Sequence, residues 1–344
     1  MRTKLRAAVV GVGSMGRNHA RVYAEMDEVD LVGVADVNAG AAERVSDIYG
    51  VPSYTDYTRL LDEARPDLIT IAVPTRAHRQ VAIEAAGRGV HLFVEKPLAG
   101  SVAEAQAIID AARAAGVKLG VGHIERFNPA ILKLKELLDA GQMGRMFQLH
   151  ARRVGPFPPR IEDVGVVFDL ATHELNIMEY LTGAQVVSVY AETEREIHER
   201  HEDLLSGVMK FDNGVVGVLD INWLTPTKIR ELSIIGERGM FLVNYLTQDL
   251  YFHENSFVNG HWEAAMALMG VSEGRMIKYE IKRKEPLRAE LESFVAAVAG
   301  DRMPEISGEE GLRAVLLAEK LVESGLRHQV MSLEPAGGRP ATPQ

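Results

Sequence analysis

The 344-residue chain carries 48 acidic residues against 38 Lys and Arg, a formal charge of −10, in an otherwise ordinary balance of 47% hydrophobic and 25% charged residues. The acidic surplus argues against a large nucleic-acid footprint, and no apolar stretch is long enough to span a bilayer. The absence of cysteine excludes disulfides, thiol nucleophiles and thiolate metal sites. Such a length predicts two domains, because a single core rarely grows beyond about 250–300 residues. With no signal-peptide pattern ahead of the first strand-like run, a cytoplasmic protein without membrane segment or metal site is expected.

Arg6-Ala-Ala-Val-Val10 is β-rich and opens directly into Gly11-Val-Gly13-Ser14-Met15-Gly16, followed by a helix predicted over Ser14 to about Met26. Gly11 permits a tight turn, Gly13 lets a pyrophosphate approach the backbone, and Gly16 allows helix to pack on strand. The helix start, with Ser14 and Met15, offers unpaired N–H groups and a positive dipole end to the anion. Leu31-Val-Gly-Val-Ala-Asp36 reads as the second strand, and its acid falls about 20 residues beyond the last glycine, as the dinucleotide fingerprint requires. Asp36 at a strand end would hold the ribose hydroxyls and repel a 2′-phosphate, which favours NAD over NADP.

Asp67–Pro74 reads as a further buried strand stopped by proline. Pro74, Thr75 and His78 then lie at a strand-to-helix junction, where Thr75 and His78 either face the cofactor or, for His78, sit exposed in a first helical turn. His91-Leu-Phe-Val-Glu95-Lys96-Pro97 is a buried strand ending in an acid and a base, so Lys96 emerges at the carboxyl edge of an open sheet, where ligands bind. Alone, Glu-Lys-Pro is equally an ion pair before a turn. Ser101 and Glu104 form a capping box for the next helix, and Lys118–Ile124 is the last strand of a doubly wound parallel sheet.

Asn128 and Pro129 cap a helix through Leu138. From Arg145 the pattern turns to alternating strands, Met146–Arg153, Val186–Glu192, Leu204–Phe211, Val215–Trp223, Ile229–Ile235 and Met240–Asn244, with a hairpin at Asp212-Asn-Gly214; a mostly antiparallel sheet follows. Gly155-Pro-Phe-Pro-Pro-Arg160 is too proline-rich for regular structure, and a helix begins near Val167. On it Asp169 and His173, four residues apart, share a face with Asn176 and Tyr180, a pairing that is either structural or a carboxylate holding a histidine base. Tyr245–Tyr279 reads as a short strand, Tyr251-Phe252, and a loop whose role stays open; helices follow over Pro286–Ala299 and Glu309–Leu326.

Gly11-x-Gly13-x-x-Gly16, Asp36, Glu95-Lys96-Pro97, Gly122-His-Ile-Glu-Arg126-Phe-Asn128 and Asp169-Leu-Ala-Thr-His173, in this order, resemble the glucose-fructose oxidoreductase, inositol dehydrogenase and MocA (Gfo/Idh/MocA) family over nearly the whole chain. Within it, Gly122–Pro129 with Val164–His173 looks most like bacterial and archaeal UDP-N-acetylglucosamine 3-dehydrogenases. A single glycine, Gly165, precedes the second helix where the family often has several, and Asn176 stands where an acid is common. The resemblance implies an α/β protein with an NAD-binding Rossmann domain at 1–124, an α+β substrate and oligomerisation domain with an open antiparallel sheet at 125–333, and a disordered tail at 334–344.

The same likeness implies an NAD-dependent dehydrogenase in which His173 is the base, Lys96 polarises the hydroxyl and Asp169 orients one or both. Its cofactor residues are Gly11, Gly13, Ser14, Met15, Gly16, Asp36, Pro74, Thr75, His78, Glu95 and Lys96. A sugar or UDP-sugar substrate would meet Lys96, Asn128, Asp169 and His173, with Arg126, Arg152, Arg153 and Arg160 as the cations by position. A homo-oligomer, dimer or tetramer, and a downstream aminotransferase are implied partners. Free-polyol dehydrogenase and non-catalytic dinucleotide-binding regulator are the rival readings.

Overall fold

The computed structural model describes residues 4–158, 161, 163–256 and 273–334. The first unit is built on six parallel strands: β1 (Leu5–Val10), β2 (Val29–Ala35), β3 (Ser53–Tyr54), β4 (Leu68–Ile71), β5 (His91–Glu95) and β6 (Leu119–Gly122). Their order is β3-β2-β1-β4-β5-β6, the doubly wound arrangement that reverses direction between β1 and β4. The crossovers include α1 (Gly16–Glu25), α2 (Ala39–Tyr49), α3 (Tyr57–Ala64), α4 (Thr75–Ala86) and α5 (Val102–Ala115). Capping chemistry sets several starts: Asn38, Asp56 and Ser101 each accept a backbone N–H of the first turn.

Strand β4 stops at Ile71, short of the predicted Pro74. On one side β1 ends at Val10 and turns at Gly11, whose backbone lies against Ala72, so the ladder with β1 stops there. Asp36 follows directly on β2, so the carboxyl ends of β1, β2, β4 and β5 present the glycine loop, Asp36, Pro74-Thr75 and Lys96 at one edge of the sheet.

The second unit holds α6 (Pro129–Asp139), capped by the Asn128 side chain as predicted, and a nine-stranded sheet. Its strands are β7 (Met146–Pro156), β8 (Val186–Glu194), β9 (Leu204–Phe211), β10 (Val216–Asn222), β11 (Leu224–Gly236), β12 (Gly239–Asn244), β13 (Asp249–Asn255), β14 (Glu273–Lys278) and β15 (Met331–Ser332). The order is β14-β13-β12-β11-β7-β10-β9-β8-β15, with β7 and β10 parallel and the other pairs antiparallel. Strand β7 extends through Gly155 to Pro156, which pairs with Leu224; a proline at the last strand position removes no further ladder bond, so the expectation of irregular structure from Gly155 fails for its first two residues. Within the segment Tyr245–Tyr279, read as a short strand and a loop, Glu273–Lys278 forms strand β14; residues 257–272 of it, and 335–344 of the tail, lie outside the described residues.

The helix expected near Val167 begins as a π-turn, Val167–Ala171, and becomes regular α7 (Thr172–Thr182) only afterwards. Beyond β14 come α8 (Pro286–Ala299) and α9 (Gly308–Arg327). The chain divides into two compact units, Met1–Ile124 with Glu162–Val164 and Glu285–Glu319 in the first, and Glu125–Ile161, Gly165–Lys284 and Lys320–Gln344 in the second. The physical cause is that Leu287, Leu291, Phe294 and Val295 of α8 are part of the same buried cluster as Val22, Tyr23, Leu68 and Phe93.

Candidate active site

In the first unit the glycine loop fits a dinucleotide pyrophosphate. Gly11 has φ +87°, and a Cβ there would lie 2.6 Å from the Ala72 carbonyl oxygen; at Gly16 it would lie 1.7 Å from the Gly11 oxygen. At Gly13, by contrast, a Cβ would meet no atom within 4 Å, so this backbone faces open space and a ligand can approach it. Ser14 is exposed and Met15 half-buried at the start of α1. Asp36 accepts the Val12 N–H at 2.9 Å and the Asn38 N–H at 2.9 Å, one on each carboxylate oxygen, which fixes its orientation while leaving lone pairs for hydroxyl donors.

Pro74 is exposed and Thr75 buried at the start of α4. His78 is buried at 1% exposure, so the exposed alternative does not hold. Its Nε2 lies 3.0 Å from the Val73 oxygen and its Nδ1 3.0 Å from the Pro97 oxygen, and burial pushes its pKa down. His78 thus ties the exit of β4 to the turn that carries Lys96.

Glu95 is also turned inward. His19 of α1, fully buried, holds its Oε1 at 2.7 Å, and the Lys96 N–H donates to Oε2 at 3.2 Å. Burial alone would raise the Glu95 carboxyl, but the His19 hydrogen bond and charge and the neighbouring Lys96 outweigh it and hold the pKa below the usual carboxylate value. Gly122 leaves the space this carboxylate occupies, since a Cβ there would lie 3.2 Å from it. Sequence reasoning missed His19 because its partner is 76 residues away. Lys96 itself is half-buried, directly after β5.

In the second unit the π-turn carries Asp169, whose N–H donates to the Gly165 oxygen at 3.0 Å, and His173 follows in the first turn of α7 at 8% exposure. A π-turn changes the angular step, so the regular four-residue stripe assumed from sequence does not run unbroken through Asp169. Tyr180 and Arg126 do meet: the Arg126 guanidinium lies 3.7 Å over the Tyr180 ring and reaches Asn176 at 3.5 Å.

The cations proposed for substrate fare differently. Arg153 is buried between Glu174 and Glu125; it donates to Glu174 from Nε and to Glu125 from Nη2 at 2.8 Å. Burial disfavours this cation, but the two carboxylates outweigh burial and raise its pKa. The Tyr245 hydroxyl donates to Glu174 at 2.9 Å, and the Asn128 Nδ2 donates to Glu125 and to the Tyr245 backbone carbonyl. Arg152 points to the opposite face of β7 and pairs with Asp220 at 3.2 Å, so it does not join Arg153. Arg160 lies outside the described residues. Glu174, one residue after the expected histidine, and Arg230 of β11 were missed; a buried polar residue inside an apolar helix face was the available signal for Glu174. Among the described residues no cluster of His, Asp and Glu is arranged to hold a metal ion, and no helix is long and apolar enough to cross a membrane.

Two family models match the chain: the oxidoreductase family, NAD-binding Rossmann fold, over residues 5–123, and the GFO/IDH/MocA C-terminal domain over 131–242. The chain is 32% identical to a UDP-N-acetylglucosamine 3-dehydrogenase of Acidithiobacillus ferrooxidans over 91% of its own length and 95% of that protein's. It is 24% identical to the myo-inositol 2-dehydrogenase of Thermotoga maritima over 97% of this chain and all of that one. A solved structure of the A. ferrooxidans enzyme superposes with a TM-score of 0.81 at 29% identity, covering 95% of this chain and 99% of that one. Glycine loop, acid at the end of β2, and matched relatives along the full length lead to one assignment: the chain belongs to the Gfo/Idh/MocA family of oxidoreductases, with an NAD-binding Rossmann unit.

Proposed function

We propose that this protein oxidises the 3-hydroxyl of UDP-N-acetylglucosamine, or of a closely related UDP-sugar, to the 3-keto form. The observation that carries the reading is the 32% identity, over 91% of the chain, to a relative bearing that activity. NAD, when bound, would supply the hydride acceptor. On the protein side, His173 takes the hydroxyl proton as the C–H bond gives up its hydride and the C=O bond forms, Lys96 polarises the hydroxyl oxygen, and Asp169 orients these groups. Thr75, Asp36 and the glycine loop hold the dinucleotide, with Glu95 and His78 fixing the Lys96 turn. Arg126 and Asn128 serve the substrate side, and Arg153 supports it through Glu174 and Glu125.

A second reading, oxidation of a free inositol or other polyol, is supported by the full-length similarity to the T. maritima enzyme. The outer face of the second unit's sheet carries exposed Tyr190, Val208 and Ile235, which suits association of like subunits in a homo-oligomer. A 3-keto sugar is a substrate for an aminotransferase, which would follow in the cytoplasm. The test is nicotinamide reduction with UDP-N-acetylglucosamine beside free N-acetylglucosamine and myo-inositol, with product mass measured and Lys96→Met run in parallel. A 3-keto UDP-sugar formed by the wild type, and turnover abolished with NAD binding retained in Lys96→Met, is expected. Turnover of myo-inositol alone sinks the nucleotide-sugar reading; near-normal turnover in Lys96→Met sinks the role of the lysine.

A further inference from the structure

Arg153 on β7 and Arg230 on β11 are direct cross-strand partners on the covered face of the second unit's sheet. Like charges placed opposite one another in a sheet repel, and burial makes the repulsion worse. Arg153 is compensated by two carboxylates, both already engaged: Glu174 also accepts from Tyr245, and Glu125 from Asn128. Arg230, only 9% exposed, has no carboxylate in hydrogen-bonding range among the described residues. Its Nη1 donates to the Val154 oxygen at 2.7 Å and the Ile229 oxygen at 3.0 Å, while Nε and Nη2 have no hydrogen-bond partner among the described residues.

Burial and the facing Arg153 push the Arg230 pKa down to about 10, against the attraction of Glu174, Glu125 and Asp169. Asp169 is thus one of three carboxylates that attract the Arg230 guanidinium without a direct hydrogen bond to it among the described residues. Directly N-terminal to Arg230 the β7–β11 register slips between Leu224 and Ile229, an irregularity of the kind that re-aims side chains next to sites. Two carbonyls anchor one prong of the guanidinium and leave the other as a two-pronged donor, the geometry that suits a pair of oxygens on one anion.

We propose that Arg230 is the residue of the second unit that binds an anionic oxygen group of the substrate, a phosphate or a carboxylate. The assignment rests on reading this unit as the one that holds the sugar substrate. It replaces Arg153, which its own acids neutralise, as the specificity-determining cation, and it selects charged sugars over neutral polyols. The full-length protein is titrated calorimetrically with UDP and, separately, with glucuronate, in wild type, Arg230→Gln and Arg230→Lys, with NAD as the control for folding. Binding of UDP marks a phosphate, of glucuronate alone a carboxylate. Arg230→Gln weakens the anion that binds by about 10- to 100-fold, the range expected for a charged hydrogen-bonding pair, and leaves NAD unchanged. Arg230→Lys, which keeps the cation without the two-pronged donor, loses part of the affinity and serves as the comparison should the glutamine variant not fold. In steady state the loss shows in KM more than in kcat.

Wild-type protein that binds neither anion, or an Arg230→Gln protein that binds as tightly as wild type, overturns the assignment. The two readings separate cleanly. Anion binding through Arg230 in an enzyme that turns over only myo-inositol leaves Arg230 standing and removes the nucleotide-sugar function. Turnover of UDP-N-acetylglucosamine with an unchanged KM in Arg230→Gln does the reverse.

Discussion

Gly13 and Gly16 are three residues apart in one loop, yet a methyl group at each should fail for opposite reasons. At Gly16 the added Cβ would sit 1.7 Å from the Gly11 carbonyl oxygen, where carbon and oxygen normally keep roughly 3.3 Å, so the backbone must move by more than an ångström. Backbone displacement against a packed strand costs about 3 kcal/mol or more, and Gly16→Ala should melt markedly lower. At Gly13 nothing lies within 4 Å, so Gly13→Ala should melt within a degree or two of wild type. The methyl instead occupies the path of the pyrophosphate. Pushing the phosphates back by about 1 Å breaks one or two charge-assisted N–H bonds at about 1.5–3 kcal/mol each, a loss of roughly 10- to 20,000-fold in NAD affinity. Differential scanning fluorimetry and NAD titration on both variants decide the matter. A Gly13→Ala protein that binds NAD normally, or that is destabilised as much as Gly16→Ala, refutes the assignment of the open face to the cofactor.

Removing one acid from the buried Arg153 pair is expected to be costly: Glu174→Gln leaves Arg153 short of a counter-charge and should lower stability by about 3–5 kcal/mol, read from urea midpoints. His78 predicts an acid dependence. Its folded pKa is depressed by burial, so the unfolded chain takes up the proton first, and stability present above the unfolded value of about 6.5 falls as the pH drops below it. His78→Asn should flatten that slope below about pH 6.5 in chemical denaturation; a slope equal to wild type would show that the ring does not stay neutral in the fold.

The site elements at strand ends were legible because their signals are local. A glycine triplet after a β-rich run, an acid at the end of the next strand and a lysine after Val94 each depend only on neighbours in sequence and on the parallel order of strands. The parts that were not legible depend on distance or on a broken period. His19 finds Glu95 across the sheet, and nothing within a window around either residue marks the pair. Glu174 was marked only as a polar residue on the apolar face of its helix, and its partners Arg153 and Tyr245 lie 21 and 71 residues away. Arg230 sits in an alternating strand where an arginine reads as an outward residue; only its register opposite Arg153 shows that it faces in. The placement of α8 was missed because its amphipathic pattern records that one side is covered, not by which element.

That placement bears on how the protein comes to exist. Phe294 of α8 packs edge-on to Phe93 at 5.2 Å, and Gly120 of β6 is without a side chain where a Cβ would lie 2.7 Å from the Phe294 ring. A Gly120↔Ser307 bridge adds a further tie to the same late segment. A ribosome that has released only the first 124 residues has therefore released a sheet and a helix whose apolar faces await chain made more than 150 residues later. The nascent nucleotide-binding half must stay incomplete, and exposed to aggregation or chaperone capture, throughout synthesis of the second unit. Closure of its core waits for α8, so premature termination before Leu287 leaves no finished dinucleotide-binding fragment behind.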